Sequence, residues 1–395
     1  MKYSHLALFG AAMIGAALPS AAQPLPGQSP VAMAPPPAAP VPDDIPVALL
    51  IDLSTGQTLF SRDPDRRFMP ASVTKVMSLY TAFHLIGDHK LSPDTVVTVT
   101  KDIGDHWSGK GSSMLLKTGD RVTVGELLLG ISTVSGNDAA VMLATYVAGS
   151  IDGWVALMNA NAAQLGMRNS HFGMPNGWMD EGRTYFSARD LAVLASAMVT
   201  RYPDLYHRFV GHHRMTYNNI TQVNHDPITG VVPGADGIKT GYTRQAGYTF
   251  VGSAERDGRR LVLVIAGAPT PIDRNRTARD LIEWGFAAFQ TRQLVPDDAE
   301  VGRAAVQGGA DRQVALRTDL PVLASVPPDG VLPKPTLTIR YRGPLQAPLK
   351  QGQQVAELHV AIAGQQPHDV PLAAANDVSR ADFLQRLRNG LLGLL

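Results

Sequence analysis

The sequence contains no cysteine and few charged residues. Of its 395 residues, 17% are charged and 6% are aromatic, and the formal net charge is +1. Without cysteine the chain can form no disulfide, and an exported chain of this size can be stable without one. Neither the net charge nor any basic patch interleaved with aromatic residues favours nucleic acid, so we expect no nucleic-acid partner.

The amino-terminal end has the composition of an export signal. Lys2 supplies a positive charge, Leu6 to Leu18 form an apolar run, and Ser20 to Ala22 are small residues of the kind that a signal peptidase accepts. The apolar run is too short to span a bilayer comfortably, which favours cleavage over an uncut membrane anchor. We predict a signal peptide over residues 1–22, followed over residues 23–45 by a solvated linker rich in proline and alanine.

The middle of the chain mixes helical and strand patterns. Apolar residues recur at helical spacing in several stretches before residue 200, and from residue 237 onward they follow strand patterns. Helices that flank an antiparallel sheet define an α+β domain, which we place at residues 46–290, with a last helix over residues 278–289. The composition then shifts to alternating, valine-rich stretches, which predict a small all-β domain over residues 296–375.

The carboxyl-terminal residues 378–395 have the pattern of an amphipathic helix. Leu384, Leu387 and Leu391 recur at spacings of three and four, and three arginines lie mostly off that stripe. The helix could pack on the preceding domain or on a second copy of the chain. It could instead lie in a membrane surface, with its leucines in the acyl boundary and its arginines at the headgroups. Because the segment is terminal and follows an export signal, we favour the membrane surface.

Three short motifs carry the chemistry of the chain. In chain order they are Ser72-Val73-Thr74-Lys75, Ser135-Gly136-Asn137 and Lys239-Thr240-Gly241. Ser72 and Lys75 share one face of a predicted helix, so the lysine amine can take the proton of the serine hydroxyl. Each motif alone would be weak, and a second Lys-Thr-Gly at Lys117 stands in the wrong order, in a loop before a helix. The three together indicate acyl transfer through a serine ester.

The residue types in these motifs suit distinct catalytic roles. An ordinary lysine is protonated at neutral pH, so Lys75 can act as a base only if burial and a second cation, Lys239, lower its pKa. Ser135 has a hydroxyl that can relay a proton to the departing amine. Asn137 offers an amide that can hold the backbone of a bound peptide.

These motifs resemble those of low-molecular-mass penicillin-binding proteins, the serine D-alanyl-D-alanine carboxypeptidases of peptidase family S11. The resemblance covers residues 46 to about 375 and includes Phe186 to Asp190 and Trp284 to Phe286. It implies a penicillin-binding/β-lactamase-like transpeptidase domain of the α+β class, followed by a small all-β domain. It also implies that Ser72 removes the terminal D-alanine from peptidoglycan stem pentapeptides and is acylated by β-lactam antibiotics.

The same resemblance assigns residues around the substrate. Thr240 offers a hydroxyl to the substrate's terminal carboxylate, and Gly241 has no side chain, so a peptide can lie alongside the strand. By resemblance, the backbone amides of Ser72 and Tyr242 bind the oxyanion. Arg274 is expected to help with the carboxylate, although Arg276 is equally near in the sequence. We expect no metal and no cofactor, because no histidines stand at ligand spacing.

Several alternatives stay open at this point. A class A β-lactamase has the same motif order but uses a glutamate within Glu-x-x-Leu-Asn, a stretch that this sequence lacks. A D,D-endopeptidase would look almost identical in sequence. A non-catalytic wall-binding scaffold would not need the nucleophile, base and relay that the chain retains. We expect an exported, periplasmic enzyme that is peripheral on the outer face of the cytoplasmic membrane.

Overall fold

The structure is a computed structural model, and it describes residues 37–328, 334–362 and 366–385. The predicted signal peptide, most of the predicted linker and the last part of the predicted terminal helix, residues 386–395, lie outside the described residues. The α-helices within the described ranges are α1 Lys75–Gly87, α2 Val124–Thr133, α3 Asn137–Ala148, α4 Ile151–Gln164, α5 Ala188–Arg201, α6 Pro203–Phe209 and α7 Pro271–Ala288.

Within the described residues, nine strands precede α7 and eight follow it. Up to residue 268 they are β1 Val47–Asp52, β2 Gln57–Arg62, β3 Val96–Thr98, β4 Arg121–Thr123, β5 Arg214–Tyr217, β6 Ile220–Val223, β7 Ala235–Thr243, β8 Gly247–Arg256 and β9 Arg259–Ala268. After α7 they are β10 Gln290–Val295, β11 Glu300–Gln307, β12 Gln313–Arg317, β13 Val322–Val326, β14 Thr336–Arg340, β15 Leu345–Gln346, β16 Gln354–Ala361 and β17 His368–Ala374. The prediction of an α+β domain followed by an all-β domain is confirmed.

The first domain is built on an antiparallel five-stranded sheet in the order β2-β1-β9-β8-β7. Alternate residues of its strands point to opposite faces, and both faces are covered. On one face Leu50 and Leu263 join α7 in an apolar cluster. On the other face Leu49 and Val264 join the cluster that contains the buried side chains of α1 to α5. Strand β7 forms one edge of the sheet and lies next to the start of α1, where the first motif is found.

Two boundaries differ from the predictions. The prediction of a solvated linker was wrong at the carboxyl end of that segment. Val41 and Ile45 are buried there, and the guanidinium of Arg62 donates hydrogen bonds to the carbonyls of both residues. The last helix of the first domain begins at Pro271 rather than at residue 278. Its N-cap is Thr270, whose hydroxyl accepts a hydrogen bond from the backbone of Asp273 at 3.1 Å.

The second domain contains a six-stranded sheet in the order β14-β16-β17-β12-β11-β15 and the pair β10-β13. One apolar cluster holds them together, and Val378 belongs to it. Val378 forms a β-bridge with Leu349, so the first residues of the predicted terminal helix are an extension of the β domain. Helical residues begin at Phe383, whose side chain is exposed.

A buried polar cluster fastens the two domains together. Asp52 at the end of β1 is fully buried and accepts hydrogen bonds from the Arg259 guanidinium at 2.7 Å and from the Ser325 hydroxyl of β13 at 2.8 Å. The Ser325 hydroxyl also lies 2.9 Å from that of Thr55 in the β1–β2 turn. Asp52, Thr55 and Ser325 are buried and the Arg259 side chain is only 11% exposed, so removing one member leaves a charge or a hydroxyl without compensation.

Within the described ranges, no single helix has both the length and the apolar character to cross a membrane. The bent pair of α3 and α4 meets that test only when the two are taken together.

Candidate active site

The first motif forms a tight turn that leads directly into α1. Ala71–Thr74 is a 3₁₀ turn, and α1 begins at Lys75. This geometry places the Lys75 Nζ atom 2.9 Å from the Ser72 Oγ atom, so the two side chains that the spacing predicted to meet are in hydrogen-bond contact. The hydroxyl therefore has an amine within proton-transfer distance.

The Lys75 amine is completely buried and has two further partners. Its Nζ atom donates to the Asn137 Oδ1 atom at 2.7 Å and to the backbone carbonyl of Asn176 at 2.8 Å. A neutral amine has two N–H groups and one lone pair. The two acceptors can therefore take the N–H groups while the lone pair receives the Ser72 proton.

Electrostatics favour the neutral form of Lys75. Its burial, reinforced by the positive charge of Lys239, holds the pKa of Lys75 well below the usual value of 10.5, while the carboxylate of Asp138 acts in the opposite direction. The Asp138 carboxylate also accepts hydrogen bonds from the backbone amide of Met114 at 2.8 Å and from the Ser113 hydroxyl at 2.6 Å. Burial and the charge of Lys239, the two causes that the sequence analysis expected to lower the pKa of Lys75, both act on this amine.

The second motif joins α2 to α3 across the cleft. Ser135 has a φ of 61°, in the left-handed region that residues with a side chain seldom adopt. Its hydroxyl is buried, and it has no hydrogen-bond partner among the described residues. The Ser135 hydroxyl therefore has unused hydrogen-bonding capacity two residues before Asn137, which lines the cleft.

Asn137 makes two hydrogen bonds within the protein, in addition to the contact with a bound peptide that the sequence predicts. While its Oδ1 atom accepts from Lys75, its Nδ2 atom donates to the backbone carbonyl of Lys110 at 2.9 Å. The Lys110 ammonium in turn lies 4.8 Å from the ring centre of Trp107 and 4.9 Å from that of Trp178. These cation–π contacts hold the glycine- and serine-rich loop after Trp107 against the cleft.

Lys110, Asn176 and Trp178 were missed by the reasoning from sequence. The loop of Lys110 was recognised as one that could border the cleft, but nothing in its local pattern indicates an acceptor for the Asn137 amide. Asn176 contributes its backbone carbonyl, which any residue type could supply. No signal in the sequence alone marks either contact.

The third motif lies on β7, at the edge of the sheet. The Lys239 side chain is almost fully buried. Burial lowers the pKa of Lys239 to about 7, with the Arg274 charge acting in the same direction and the carboxylate of Asp226 opposing it. A side chain at Gly241 would approach the carbonyl oxygen of Pro70 to 2.5 Å, so glycine is also needed for β7 to pack against the turn of Ser72.

The structure distinguishes the two candidate arginines. Arg274 lies in α7, is buried, and has its guanidinium 6.0 Å from the ring centre of Tyr248. Tyr248 stacks on Tyr242 at a ring-centre distance of 4.2 Å, which places Arg274 on the side of the third motif. Arg276 instead forms an ion pair with Asp273 at 3.1 Å and is largely exposed.

Together these elements enclose a cleft of about 330 Å³ around the nucleophile. Its lining includes Ser72, Asn137 and Tyr242 from the three motif regions and Trp178 from the opposite loop. The second Lys-Thr-Gly, at Lys117, lies in an exposed turn and is not part of this lining. The cleft thus contains the Ser72 hydroxyl, which the buried Lys75 amine contacts, and Lys239 is buried on the adjacent strand β7.

Comparison with known proteins gives consistent matches for both domains. Residues 40–270 match the family model described as D-alanyl-D-alanine carboxypeptidase, peptidase family S11. Residues 289–380 match the model of the penicillin-binding protein 5 C-terminal domain. The chain is 35% identical over 346 residues to D-alanyl-D-alanine carboxypeptidase DacD of Salmonella typhimurium, covering 86% of this chain and 87% of that protein.

Solved structures agree with these matches. Penicillin-binding protein 5 from Haemophilus influenzae superimposes with a TM-score of 0.74 at 30% identity, over 87% of this chain and 100% of that one. Penicillin-binding protein D2 from Listeria monocytogenes, in its cefotaxime-bound form, superimposes with a TM-score of 0.57 at 25% identity, over 63% of this chain and 99% of that one. The predicted resemblance is confirmed, and the chain belongs to the D-alanyl-D-alanine carboxypeptidase family, peptidase family S11.

Proposed function

We propose that this protein is a serine D-alanyl-D-alanine carboxypeptidase that removes the terminal D-alanine from peptidoglycan stem pentapeptides. The observation that carries the proposal is the contact of 2.9 Å between the Lys75 Nζ atom and the Ser72 Oγ atom, in a site where the pKa of Lys75 is lowered. Membership of the family supports the same substrate class.

The reaction begins with proton transfer from Ser72 to the neutral Lys75 amine. The Ser72 Oγ atom attacks the carbonyl carbon between the two D-alanines, and the backbone amides of Ser72 and Tyr242 stabilise the resulting oxyanion. When the C–N bond breaks, the departing D-alanine nitrogen receives a proton through the Ser135 hydroxyl. Water then hydrolyses the ester, which releases the shortened peptide and restores the serine.

The third motif and Arg274 bind the terminal D-alanine, which is the part of the substrate that leaves. Lys239 and Arg274 supply positive charge, and Thr240 supplies a hydroxyl, toward the terminal carboxylate. The peptide backbone lies alongside β7 at Gly241, where no side chain obstructs it. Asn137 holds the peptide from the opposite side of the cleft.

We further propose that β-lactam antibiotics acylate Ser72. The lactam carbonyl takes the place of the scissile carbonyl, and its C–N bond opens while the nitrogen stays attached to the acyl group. The relative from Listeria monocytogenes, solved in a cefotaxime-bound form, supports this reaction for the fold.

A fluorescent penicillin tests the assignment of the nucleophile. The protein should be labelled covalently, Ser72→Ala should not be labelled, and the exposed Ser92→Ala should be labelled as the wild type is. Labelling that survives in Ser72→Ala would show that another residue is the nucleophile. Release of free D-alanine from a D-Ala-D-Ala peptide separates a carboxypeptidase from a non-catalytic scaffold, which would release none.

We also propose that the protein is exported to the periplasm and attached to the outer face of the cytoplasmic membrane by its carboxyl-terminal helix. Phe383 and Leu384 are 79% and 73% exposed at the start of that helix, as expected for side chains that enter a lipid surface. Deletion of residues 383–395 should move the protein from the membrane to the soluble fraction, with penicillin labelling retained. Continued membrane fractionation of the truncated protein would refute the attachment.

A further inference from the structure

A buried carboxylate next to the second motif has no part in the proposed reaction. Asp138 follows Asn137 at the start of α3, and its side chain is completely buried. Burial of a carboxylate is costly unless hydrogen-bond donors surround it. The donors to Asp138 are neutral, and they are the Ser113 hydroxyl at 2.6 Å and the backbone amides of Met114 at 2.8 Å, Leu116 at 3.1 Å and Ala139 at 2.9 Å. All but the last of these donors belong to the segment of residues 109–116.

The Ser113 hydroxyl extends this network within the segment. While it donates to Asp138, its oxygen accepts hydrogen bonds from the backbone amides of Gly109 and Leu115, each at 2.9 Å. Residues 109–116 form neither a helix nor a strand, so their backbone amides depend on side-chain acceptors. The carboxylate and the hydroxyl together therefore hold the shape of the segment.

The same segment contacts Asn137 at two points. The backbone N–H group of Asn137 donates to the carbonyl of Ser112 at 2.8 Å, and the Nδ2 atom donates to the carbonyl of Lys110 at 2.9 Å. Ser112 also lines the cleft of the nucleophile. Asn137 and Asp138, adjacent residues of α3, thus both bind this segment. A displacement of the segment would change the surroundings of the Asn137 amide.

The Lys110 carbonyl determines which way the Asn137 amide faces. A carbonyl oxygen can only accept, so the Nδ2 atom points to it and the Oδ1 atom points to Lys75, at 2.7 Å from the Nζ atom. In this orientation the amide accepts an N–H group of Lys75 and leaves the lone pair of the neutral amine to the Ser72 hydroxyl. A rotated amide would instead direct its own N–H groups at that lone pair and would compete with Ser72.

We propose that Asp138 is a positioning residue for acylation of the nucleophile. It holds residues 109–116 in the shape that presents the Lys110 carbonyl to Asn137, and it thereby keeps the oxygen of that amide turned toward the base. Asp138 is not among the described residues that line the cleft, so it acts through these neighbours. The inference rests on the proposed function, because it assumes that Ser72 is the residue acylated.

Replacing Ser113 by alanine weakens this network without changing any charge. Asp138 keeps its three backbone donors, but the amides of Gly109 and Leu115 lose their acceptor, so the segment loosens while the fold should persist. We expect the second-order rate of acylation by a fluorescent penicillin to fall by roughly 10- to 100-fold, because small displacements of catalytic groups have effects of this size. Ser325→Ala, which removes a buried hydroxyl in the second domain, is the matched control and should be acylated at the wild-type rate.

The same substitution in an Asn137→Ala background shows whether the network acts through the amide. If it does, Ser113→Ala should lower the acylation rate by less than about twofold when residue 137 is already alanine. General disruption of the site would instead lower the rate by the same factor in both backgrounds, and that result would overturn the proposal. Acylation of Ser113→Ala at the wild-type rate would overturn it as well.

Replacing Asp138 by asparagine adds a second readout, the pH dependence of acylation. The charged groups that act on the Lys75 amine are Lys239 on β7 and Asp138 on α3, and the Asp138 carboxylate raises the pKa of Lys75. Loss of that charge should move the acid limb of the pH–rate profile to lower pH, while the loosened segment lowers the plateau. An unchanged plateau would refute the positioning role even if the limb moves.

Two measurements separate this inference from the proposed function. If the wild type is acylated and both Ser113→Ala and Asp138→Asn match it, only the inference is wrong. If the wild type is not acylated and releases no D-alanine from a D-Ala-D-Ala peptide, the proposed function fails and the inference fails with it. Thermal unfolding of each variant shows whether the rate belongs to folded protein, and if Asp138→Asn does not fold, the two Ser113→Ala variants decide the outcome.

Discussion

Replacing Asn137 by aspartate tests whether Lys75 acts as a neutral base. The change keeps the shape of the side chain but places a carboxylate oxygen 2.7 Å from the Lys75 Nζ atom, where the amide oxygen now lies. The negative charge stabilises the ammonium form of Lys75 and therefore raises its pKa. Fewer molecules then carry the free amine at neutral pH, so Ser72 is activated less often.

The size of the rise in the pKa of Lys75 follows from the distance between its Nζ atom and the new carboxylate oxygen. Two unit charges 2.7 Å apart interact by roughly 6 kcal/mol at an effective dielectric constant of 20. Burial of the new carboxylate offsets much of this attraction, so we expect the pKa of Lys75 to rise by about one to three units. On the acid side of the pH–rate profile, each unit lowers the acylation rate about tenfold.

The assay is the second-order rate of acylation by a fluorescent penicillin between pH 5 and pH 10. Asn137→Asp should move the acid limb of this profile to higher pH. Asn137→Ala is the control, because it removes the same amide contact with the substrate without adding charge. It should lower the plateau but should not move the limb upward. Coincident limbs for the two variants would refute the role of Lys75 as a base whose neutral form is required.

Two further predictions concern Lys239 and the domain junction. With a pKa of about 7, Lys239 loses its charge as pH rises, so kcat/KM for a D-Ala-D-Ala peptide should fall above pH 7. Lys239→Arg, which stays charged, should lack this alkaline limb; a limb that persists would assign it to another group. Asp52→Asn leaves the largely buried Arg259 cation without a carboxylate and should lower the free energy of unfolding by about 3 kcal/mol in denaturant titrations. Replacing the exposed Asp43 by asparagine is the control, and equal losses in the two variants would contradict this account.

Much of the fold and the nucleophile–base pair could be predicted because their signals are local. The contact of Ser72 with Lys75 depends only on a helical turn, and the sheet strands follow alternating or apolar runs. The start of α7 also had a local signal, since Thr270 followed by Pro271 is typical of a helix N-terminus. Because the predicted helix did not begin at Pro271, the sequence could not show which of Arg274 and Arg276 lies beside the third motif.

The remaining features depend on pairs of residues that are far apart in the chain. Ser325 meets Asp52 across 273 positions, and neither residue has a neighbourhood that marks it as a junction. Val41 and Ile45 lie in a stretch whose proline content predicts a solvated linker, yet Arg62 satisfies the carbonyls of this stretch and lets it pack. Such contacts arise from tertiary packing, which local periodicity does not encode.

The backbone at Ser135 has a consequence for the evolution and engineering of this enzyme. A glycine there would adopt the same left-handed conformation without the strain of about 1 kcal/mol that a side chain incurs. The most stable version of this loop would therefore lack the hydroxyl in the cleft. Selection for thermal stability alone should favour replacements at this position that raise the stability of the protein and lower its catalytic rate. Screens for stabilised variants should therefore measure turnover as well.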